Sequence, residues 1–340
     1  MDPVEALRRT AFLLERENAE SYRVQAYRKA AAALDGIGPD ETRRRIEAGT
    51  LTELVGVGPK TSALATEAAA GATPAYVEEL EARPSPRDSL DADGLALLAL
   101  VRGDCHTHSD WSDGGSPPVE MAQACAGLGH EWTVLTDHSP RLTVARGLTR
   151  ERLETQLDLV ARINADLAPF RYLTGIEVDI NEDGTLDQDD DLLARLDVVV
   201  ASVHSKLRAP SSSMTPRMVR AIANPHVDVL GHCTGRLVVG RGRPESEFDV
   251  DLVIEACRQF DVALEINSRP ERLDPPRRIL RAAVEAGILL SIDTDAHAPG
   301  QLEWQPYGVA RAVECGVDPA KVVTTWHVDD LLAWTGRHVA

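Results

Sequence analysis

From Pro3 to Gly71 the apolar residues recur at helical spacing, with Val4, Leu7, Ala11 and Leu14 on one face. The run Tyr22–Leu34 continues the period until Gly36-Ile-Gly-Pro39 stops it. Between Gly71 and Asp93 the pattern lapses: Pro74, Pro84 and Pro86 stand among mixed charges, with room for a short helix around Ala75–Glu81. After Arg102 the grain changes, because short β-branched runs alternate with helical segments, as in parallel β/α architecture. Strands are predicted near Gly103–His108, Trp132–His138, Tyr172–Ile180, Asp197–His204, Val227–His232, Val262–Ser268 and Ile288–His297. Helical spacers are predicted near Pro118–Gly129, Thr149–Leu167, Thr215–Ala223, Val250–Phe260 and Pro276–Ala286, with more helix after Tyr307. The expected fold class is α/β: a TIM-like barrel over residues 102–340, a linker over 73–101 and a small all-α domain over 1–72.

A chain of 340 residues accommodates such a barrel and a satellite domain, and 43% hydrophobic with 26% charged residues is ordinary globular composition, which excludes disorder. The net charge is −18, of which Met1–Asp88 carries −3 and the remainder −15. Acidic excess favours solubility, and bound divalent cations would offset part of it. Any nucleic-acid contact must therefore come from a local patch. Cys105, Cys125, Cys233, Cys257 and Cys315 are scattered, odd in number and without a CxxC pair, so reduced thiols are expected. The amphipathic start and the lack of an 18-residue apolar run lead to the expectation of a cytoplasmic protein without membrane contact.

Candidate chemistry follows from where the histidines and acids fall. His106 and His108 alternate on the first predicted strand and so project to one side. His138, His204 and His232 end the second, fourth and fifth strands, Glu177 lies on the third, and Asp295 with His297 repeats the i, i+2 pairing at the end of the seventh. The C-terminal strand ends of a β/α barrel converge on one mouth. Imidazoles and carboxylates suit Zn, Mn or Fe, and this many exceed what one ion needs, so a multinuclear site is expected. His130, His226, His327 and His338 lack such placement and are expected to be structural or surface residues. By strand alternation Cys105 points away from its neighbours; Cys233, which follows His232, has no such constraint.

These residues resemble the polymerase and histidinol phosphatase (PHP) domain family. The matching segments are Asp104-Cys-His-Thr-His-Ser-Asp-Trp-Ser-Asp-Gly114, Thr136-Asp-His-Ser139, Gly175-Ile-Glu-Val-Asp179, Ser202-Val-His-Ser205, Gly231-His-Cys-Thr-Gly-Arg236 and Asp295-Ala-His297. The resemblance runs from about Arg102 to Trp334. It implies a distorted (β/α)7 barrel binding three divalent metals through His106, His108, Asp113, His138, Glu177, His204, His232, Asp295 and His297. Asp113, in a loop, enters the set through the resemblance alone. The implied grouping is His106, His108, Glu177 and Asp295 on one ion; Glu177, His204 and His232 on a second; Asp113, His138 and His297 on a third. The departure is Cys233, where similar relatives tend to have Pro. An amidohydrolase also has a His-x-His strand, but commonly carries a bridging Lys where this chain has His204.

Near the N-terminus, Leu51-Thr-Glu-Leu-Val-Gly-Val-Gly-Pro-Lys-Thr-Ser-Ala-Leu64 looks like a helix-hairpin-helix motif. Gly56, Val57 and Gly58 would bring backbone close to a phosphate, helix N-terminal amides would attract it, and Lys60 adds charge. Asn18 to Gly71 as a whole resembles the N-terminal lyase-like domain of bacterial family X DNA polymerases, whose C-terminal domain is a PHP domain. Those enzymes carry a palm between the two, whereas only about thirty residues separate Gly71 from Gly103, far short of a domain. Polymerisation is therefore not expected, and Asp91 with Asp93 merely imitates a carboxylate pair.

The expected function is hydrolysis of a phosphate ester, with cation-activated water attacking phosphorus and Glu177 and Asp295 acting through the metals they hold. Lys206, Arg236 and Arg269 follow strand ends and are candidates to hold substrate phosphate. DNA is the expected substrate, cut by a 3′–5′ exonuclease or abasic-site endonuclease and engaged through residues 51–64. The competing readings are a small-molecule phosphatase of the histidinol-phosphatase type and a non-catalytic DNA-repair accessory.

Overall fold

A computed structural model describes residues Met1–Gly336, so His338 lies outside the described residues. The chain divides into two compact units, one of Met1–Asp88 with Pro299–Glu303, the other of Ser89–Ala298 and the chain from Trp304 on.

In the first unit, α1 (Pro3–Arg16) starts at Asp2, whose Oδ1 accepts from the Val4 and Glu5 amides at 2.8 and 3.2 Å. Helix α2 (Ser21–Ala48) is broken at Gly38 (φ 77°) ahead of Pro39, where the sequence predicts a stop. After a turn come α3 (Pro59–Ala69) and α4 (Ala75–Glu81). Leu7, Leu14, Leu34, Leu51, Leu64, Val77 and Leu80 share one buried cluster. The segment expected as linker is thus divided: Val77 and Leu80, three apart on one helical face, draw α4 into the helical unit, while Ser89 onward belongs to the other.

The second unit opens with α5 (Ala92–Leu98) and α6 (Pro118–Gly127), then alternates strand and helix. Its strands are β1 (Trp132–Leu135), β2 (Arg171–Asp179), β3 (Val198–Ser202), β4 (Val229–Leu230), β5 (Ala263–Asn267) and β6 (Leu290–Asp293). They pair in sequence order, all parallel. The intervening helices are α7 (Arg150–Leu167), α8 (Asp190–Leu193), α9 (Ser211–Ile222), α10 (Val250–Phe260) and α11 (Arg277–Ala286); α12 (Gln305–Glu314) and α13 (Val328–Thr335) follow.

One predicted strand needs correction. Residues 103–108 form no regular strand; Thr107 alone bridges Leu135 on one side and Ala296 on the other, both in parallel sense. The segment still occupies the seventh position and links the two edges of the sheet. It is irregular because side chains take over ladder positions: the Cys105 amide donates to Asp293 Oδ1 (2.7 Å) and the Thr107 amide to Thr136 Oγ1 (3.0 Å). The result is a distorted seven-position β/α barrel.

Alternation along the strands separates two apolar layers. Trp132, Val134, Leu173, Val198, Val200, Val229 and Ala263 form an inner cluster with Leu331 and Trp334 of α13. Val199, Ala201, Ile176, Leu264 and Ile292 face outward onto Met214, Met218, Val253, Leu280 and Val309 of the helices. A fully buried Val or Leu of this kind stabilises by about 1.5–3 kcal/mol. The Trp132 indole donates to Trp326 O at 3.0 Å, so apolar packing plugs the barrel where its strands begin. Polar side chains are left to gather where the strands end.

Candidate metal centre

All eight strand-associated candidates gather at that end, and Asp113 reaches them from its loop. Four overlapping sets bring ligand atoms within 4.8 Å of one another: His108, Asp113, His138 and His297; His106, Glu177 and His232; His106, His108 and Asp295; His138, Glu177 and His204. Glu177 is the hub. Its Oε1 lies 3.2 Å from His204 Nε2 and 2.8 Å from His232 Nε2, and its Oε2 lies 3.3 Å from His106 Nε2 and 2.8 Å from His138 Nδ1. Asp113 Oδ1 sits 3.4 Å from His138 Nε2 and 3.3 Å from His297 Nε2, and Asp295 Oδ1 sits 3.4 Å from His108 Nε2.

The sequence folds locally to hold these groups. Buried Asp137 accepts from the Ser109 amide at 2.8 Å and from the hydroxyls of Ser109 and Ser112, and the Gly115 amide donates to His297 O at 2.6 Å. These bonds anchor the turn that carries Asp113. Asp295 has a left-handed backbone (φ 53°), a conformation Asp tolerates better than most residues. It is held by the Thr107–Ala296 bridge and by Arg269 Nη1, which donates to Asp295 O at 3.1 Å.

Two carboxylates orient imidazoles from behind. Glu265 Oε1 lies 2.6 Å from His106 Nδ1, and its Oε2 accepts from the His232 amide and from Asn267 Nδ2. Asp179 Oδ1 lies 2.6 Å from His204 Nδ1. Each carboxylate fixes one ring nitrogen and turns the other toward Glu177, the carboxylate–histidine pairing typical of metal ligands. Buried His106 Nε2, His108 Nε2, His204 Nε2 and Glu177 Oε2 make no hydrogen bond of normal geometry, which is costly for an interior polar atom unless a cation takes its place. The donor set of nitrogen and carboxylate oxygen therefore fits divalent cations.

The electrostatics agree. Burial pushes the Glu177 carboxyl up, but His204, His106 and His138 outweigh it and hold it well below the usual range. Burial alone would lower His138, yet Glu177 and Asp113 raise it to about 10. Burial lowers His108 well below its ordinary value, and His297 and His138 push it further. Within one cluster, neighbouring carboxylates thus raise some imidazoles while burial lowers others, and cations would take over the balancing of charge.

Of the residues expected to hold substrate, Arg269 reaches the centre, 2.9 Å from His297 Nδ1 and 3.5 Å from Asp295 Oδ1. Arg236 instead donates to the carbonyls of Arg272 and Leu273 and pairs with Glu245, bracing the loop after β5. Lys206 is exposed just beyond His204. Cys233 Sγ faces Asp274 at 3.7 Å, Cys105 lies in the inner apolar cluster, and among the described residues no cysteine joins a ligand set. Sequence reading missed Glu265, Asp179 and Asp137. Charged Glu265 within Ala-Leu-Glu-Ile-Asn, and Asp179 two residues from Glu177, were the available signals.

In the helical unit, Gly56 takes φ 93° and Gly58 caps α3, its amide donating to Thr61 Oγ1 at 3.0 Å. The Val57 side chain is buried in the helical core, so only its backbone can meet a ligand; Lys60 is exposed.

Residues 104–269 match the PHP domain, and residues 1–73 match the helix-hairpin-helix domain. The chain thus carries a helix-hairpin-helix domain and a PHP domain. It is 42% identical over 249 residues to the DNA polymerase/3'-5' exonuclease PolX of Bacillus subtilis (strain 168), a match covering 73% of this chain and 43% of that protein. The chain thus spans under half the length of that relative. A probable phosphatase of Thermoanaerobacter sp. (strain X514) is 29% identical over 205 residues, covering 57% of this chain and 78% of that one. Among solved structures, histidinol phosphate phosphatase from Lactococcus lactis, complexed with zinc, L-histidinol and phosphate, is 16% identical with a TM-score of 0.47, covering 64% of this chain and 94% of that chain. Among the described residues no helix of this PHP protein is long and apolar enough to cross a membrane.

Proposed function

We propose that the PHP barrel is a phosphoesterase that works with three divalent cations of the Zn, Mn or Fe type, and that DNA is its substrate. The observation that carries the reading is the convergence of His106, His108, Asp113, His138, Glu177, His204, His232, Asp295 and His297 at one barrel mouth, in overlapping sets with Glu177 at their centre. Bound there, the cations would acidify water and neutralise charge building on phosphate oxygens. Glu177 and Asp295 supply the fixed negative charge that retains them. Glu265 and Asp179 hold His106 and His204 in the tautomers that present Nε2 to the centre. Asp113 closes the outer side, its side chain 37% exposed, which leaves an approach for substrate.

DNA is favoured by the helix-hairpin-helix match over residues 1–73 and by the 42% identity to a relative named as a 3'-5' exonuclease. Gly56, Val57 and Gly58 offer backbone, and Lys60 a charge, to a phosphodiester. A small-molecule phosphatase is the second reading, supported by the relative named as a probable phosphatase, 78% of whose length is matched. The test sets end-labelled single-stranded DNA beside histidinol phosphate, using full-length Mn-loaded protein and its Lys60→Glu variant. Shortening of DNA from one end, with weaker binding by the variant, supports the proposal. Release of phosphate from the small ester alone selects the second reading, and inertness toward both leaves a non-catalytic accessory.

A further inference from the structure

Two loops leave the metal centre on one side: residues 109–115, which carry Asp113, and residues 139–148, which follow His138. Between them and the first turns of α7 opens a cleft of about 490 Å³, lined by Asp110, Trp111, Arg146, Glu151, Arg152 and Thr155. None of the six belongs to a ligand set, and the hydrolytic chemistry uses none of them. The cleft is nevertheless built. Arg152 commits its guanidinium to both walls: Nη1 donates to Arg146 O at 2.6 Å and to Gly147 O at 3.2 Å, and Nη2 donates to Trp111 O. On the near wall the Trp111 amide donates to Ser109 Oγ at 3.2 Å and the Asp110 amide to Ser116 O at 2.9 Å. On the far wall the Leu148 amide donates to His138 O at 2.7 Å, and Gly147 lies so close to Ser139 that a Cβ there would stand 1.8 Å from its carbonyl oxygen.

What lines the cleft says what it takes. Trp111 is half-buried: it packs against the outer apolar layer of the barrel and still borders the cleft. An indole fixed in this way is a stacking surface for a flat ring, and stacking accepts any base because every base has a π-face. Asp110 and Arg146 are exposed at the rim. The Asp110 carboxylate can accept from an exocyclic amino group, and the Arg146 guanidinium can donate to ring nitrogens and carbonyls. The volume is of the order that binds a small planar ligand. Position supplies the rest. Two residues separate Trp111 from the ligand Asp113, so their backbones stand within about 7 Å of each other, a reach comparable with that of a nucleotide from base to phosphate.

We infer that this cleft is a nucleobase subsite, in which Trp111 stacks on the base of the nucleotide whose phosphate lies at the metal centre, with Asp110 and Arg146 meeting the base edge. Arg152 acts as a positioning residue that holds the two walls apart. The acceptor at Asp110 favours bases that carry an exocyclic amino group over thymine. The inference rests on the reading of the barrel as a phosphoesterase acting on DNA, but it concerns binding, so it is read without turnover.

The experiment titrates deoxyadenosine 5′-monophosphate, thymidine 5′-monophosphate and deoxyribose 5-phosphate into full-length, Mn-loaded protein by calorimetry, for wild type, Trp111→Leu and Trp111→Phe, with metal content measured on each. In wild type the adenine nucleotide is expected to bind about tenfold more tightly than the sugar phosphate, a gain of the size that stacking on one aromatic ring supplies, with the thymine nucleotide between them. Trp111→Leu keeps an apolar side chain against the core but removes the ring, so it should bring both nucleotides down to the sugar phosphate while leaving the sugar phosphate within twofold of wild type. Trp111→Phe should keep most of the gain. A base that adds nothing in wild type overturns the inference, and this comparison stands even if neither variant folds. So does a Trp111→Leu variant that weakens all three ligands alike or loses metal, since Trp111 would then only support the Asp113 loop. Base-dependent binding by a protein that cleaves no ester would overturn the hydrolase reading and leave this one; ester cleavage without any gain from a base would do the reverse.

Discussion

Replacing Glu265 by Gln changes one oxygen for an amide and leaves volume nearly constant, so its effect isolates hydrogen bonding. In the folded chain Oε1 takes the His106 Nδ1 proton at 2.6 Å while Oε2 accepts from the His232 amide and from Asn267 Nδ2. Glutamine has one accepting oxygen. If it serves His106, its NH2 faces the His232 N–H, donor against donor; if it serves His232, His106 Nδ1 loses its acceptor. Either way one fully buried donor goes unsatisfied, which costs about 1–3 kcal/mol. Two ligand histidines are affected together, so metal affinity should fall about 10–100-fold, the usual penalty for losing a supporting carboxylate. The assay is competition for Mn or Zn between stripped protein and a chromophoric chelator, on wild type and Glu265→Gln, with circular dichroism confirming the fold. Affinity within twofold of wild type would refute the assignment of Glu265 as the residue that orients His106.

Glu177→Gln removes the charge shared by two of the four ligand sets, and is expected to abolish retained metal and reduce ester hydrolysis to background, read by elemental analysis and product release. Gly231→Ala places a Cβ 2.3 Å from Ser202 Oγ and 2.9 Å from Val200 Cγ1. This overpacking should cost about 1–3 kcal/mol in urea unfolding, and a neutral result would show that the inner wall yields. Partly buried His130 has its pKa pushed down by burial to about 4, against roughly 6.5 when unfolded. The unfolded chain therefore binds the extra proton: this contribution is complete above pH 6.5 and is lost as pH falls toward 4, by at most about 2 kcal/mol between pH 7 and 5. His130→Gln in metal-stripped protein should flatten that slope, and an unchanged slope contradicts the assignment.

Most of the barrel is legible in the chain because buried parallel strands leave continuous apolar runs. Val198–Ser202 and Ala263–Asn267 lie inside their predicted ranges. The first strand misleads because Asp104, Thr107 and Asp293 satisfy backbone by side chain, an arrangement with no periodic signature. The strand-end histidines stand out because each interrupts or ends an apolar run, whereas Asp113 sits in a turn and was reachable only through resemblance. In the helical unit, α4 reads as linker because prolines flank it, yet Val77 and Leu80 give it a core to join.

Whether these nine side chains form a cation centre is settled by counting metal per chain after exhaustive dialysis of protein folded with Zn, Mn or Fe. About three equivalents are expected, with the count falling when His106, Glu177 or Asp295 is replaced. A correctly folded, full-length protein that retains no divalent metal under those conditions would contradict it.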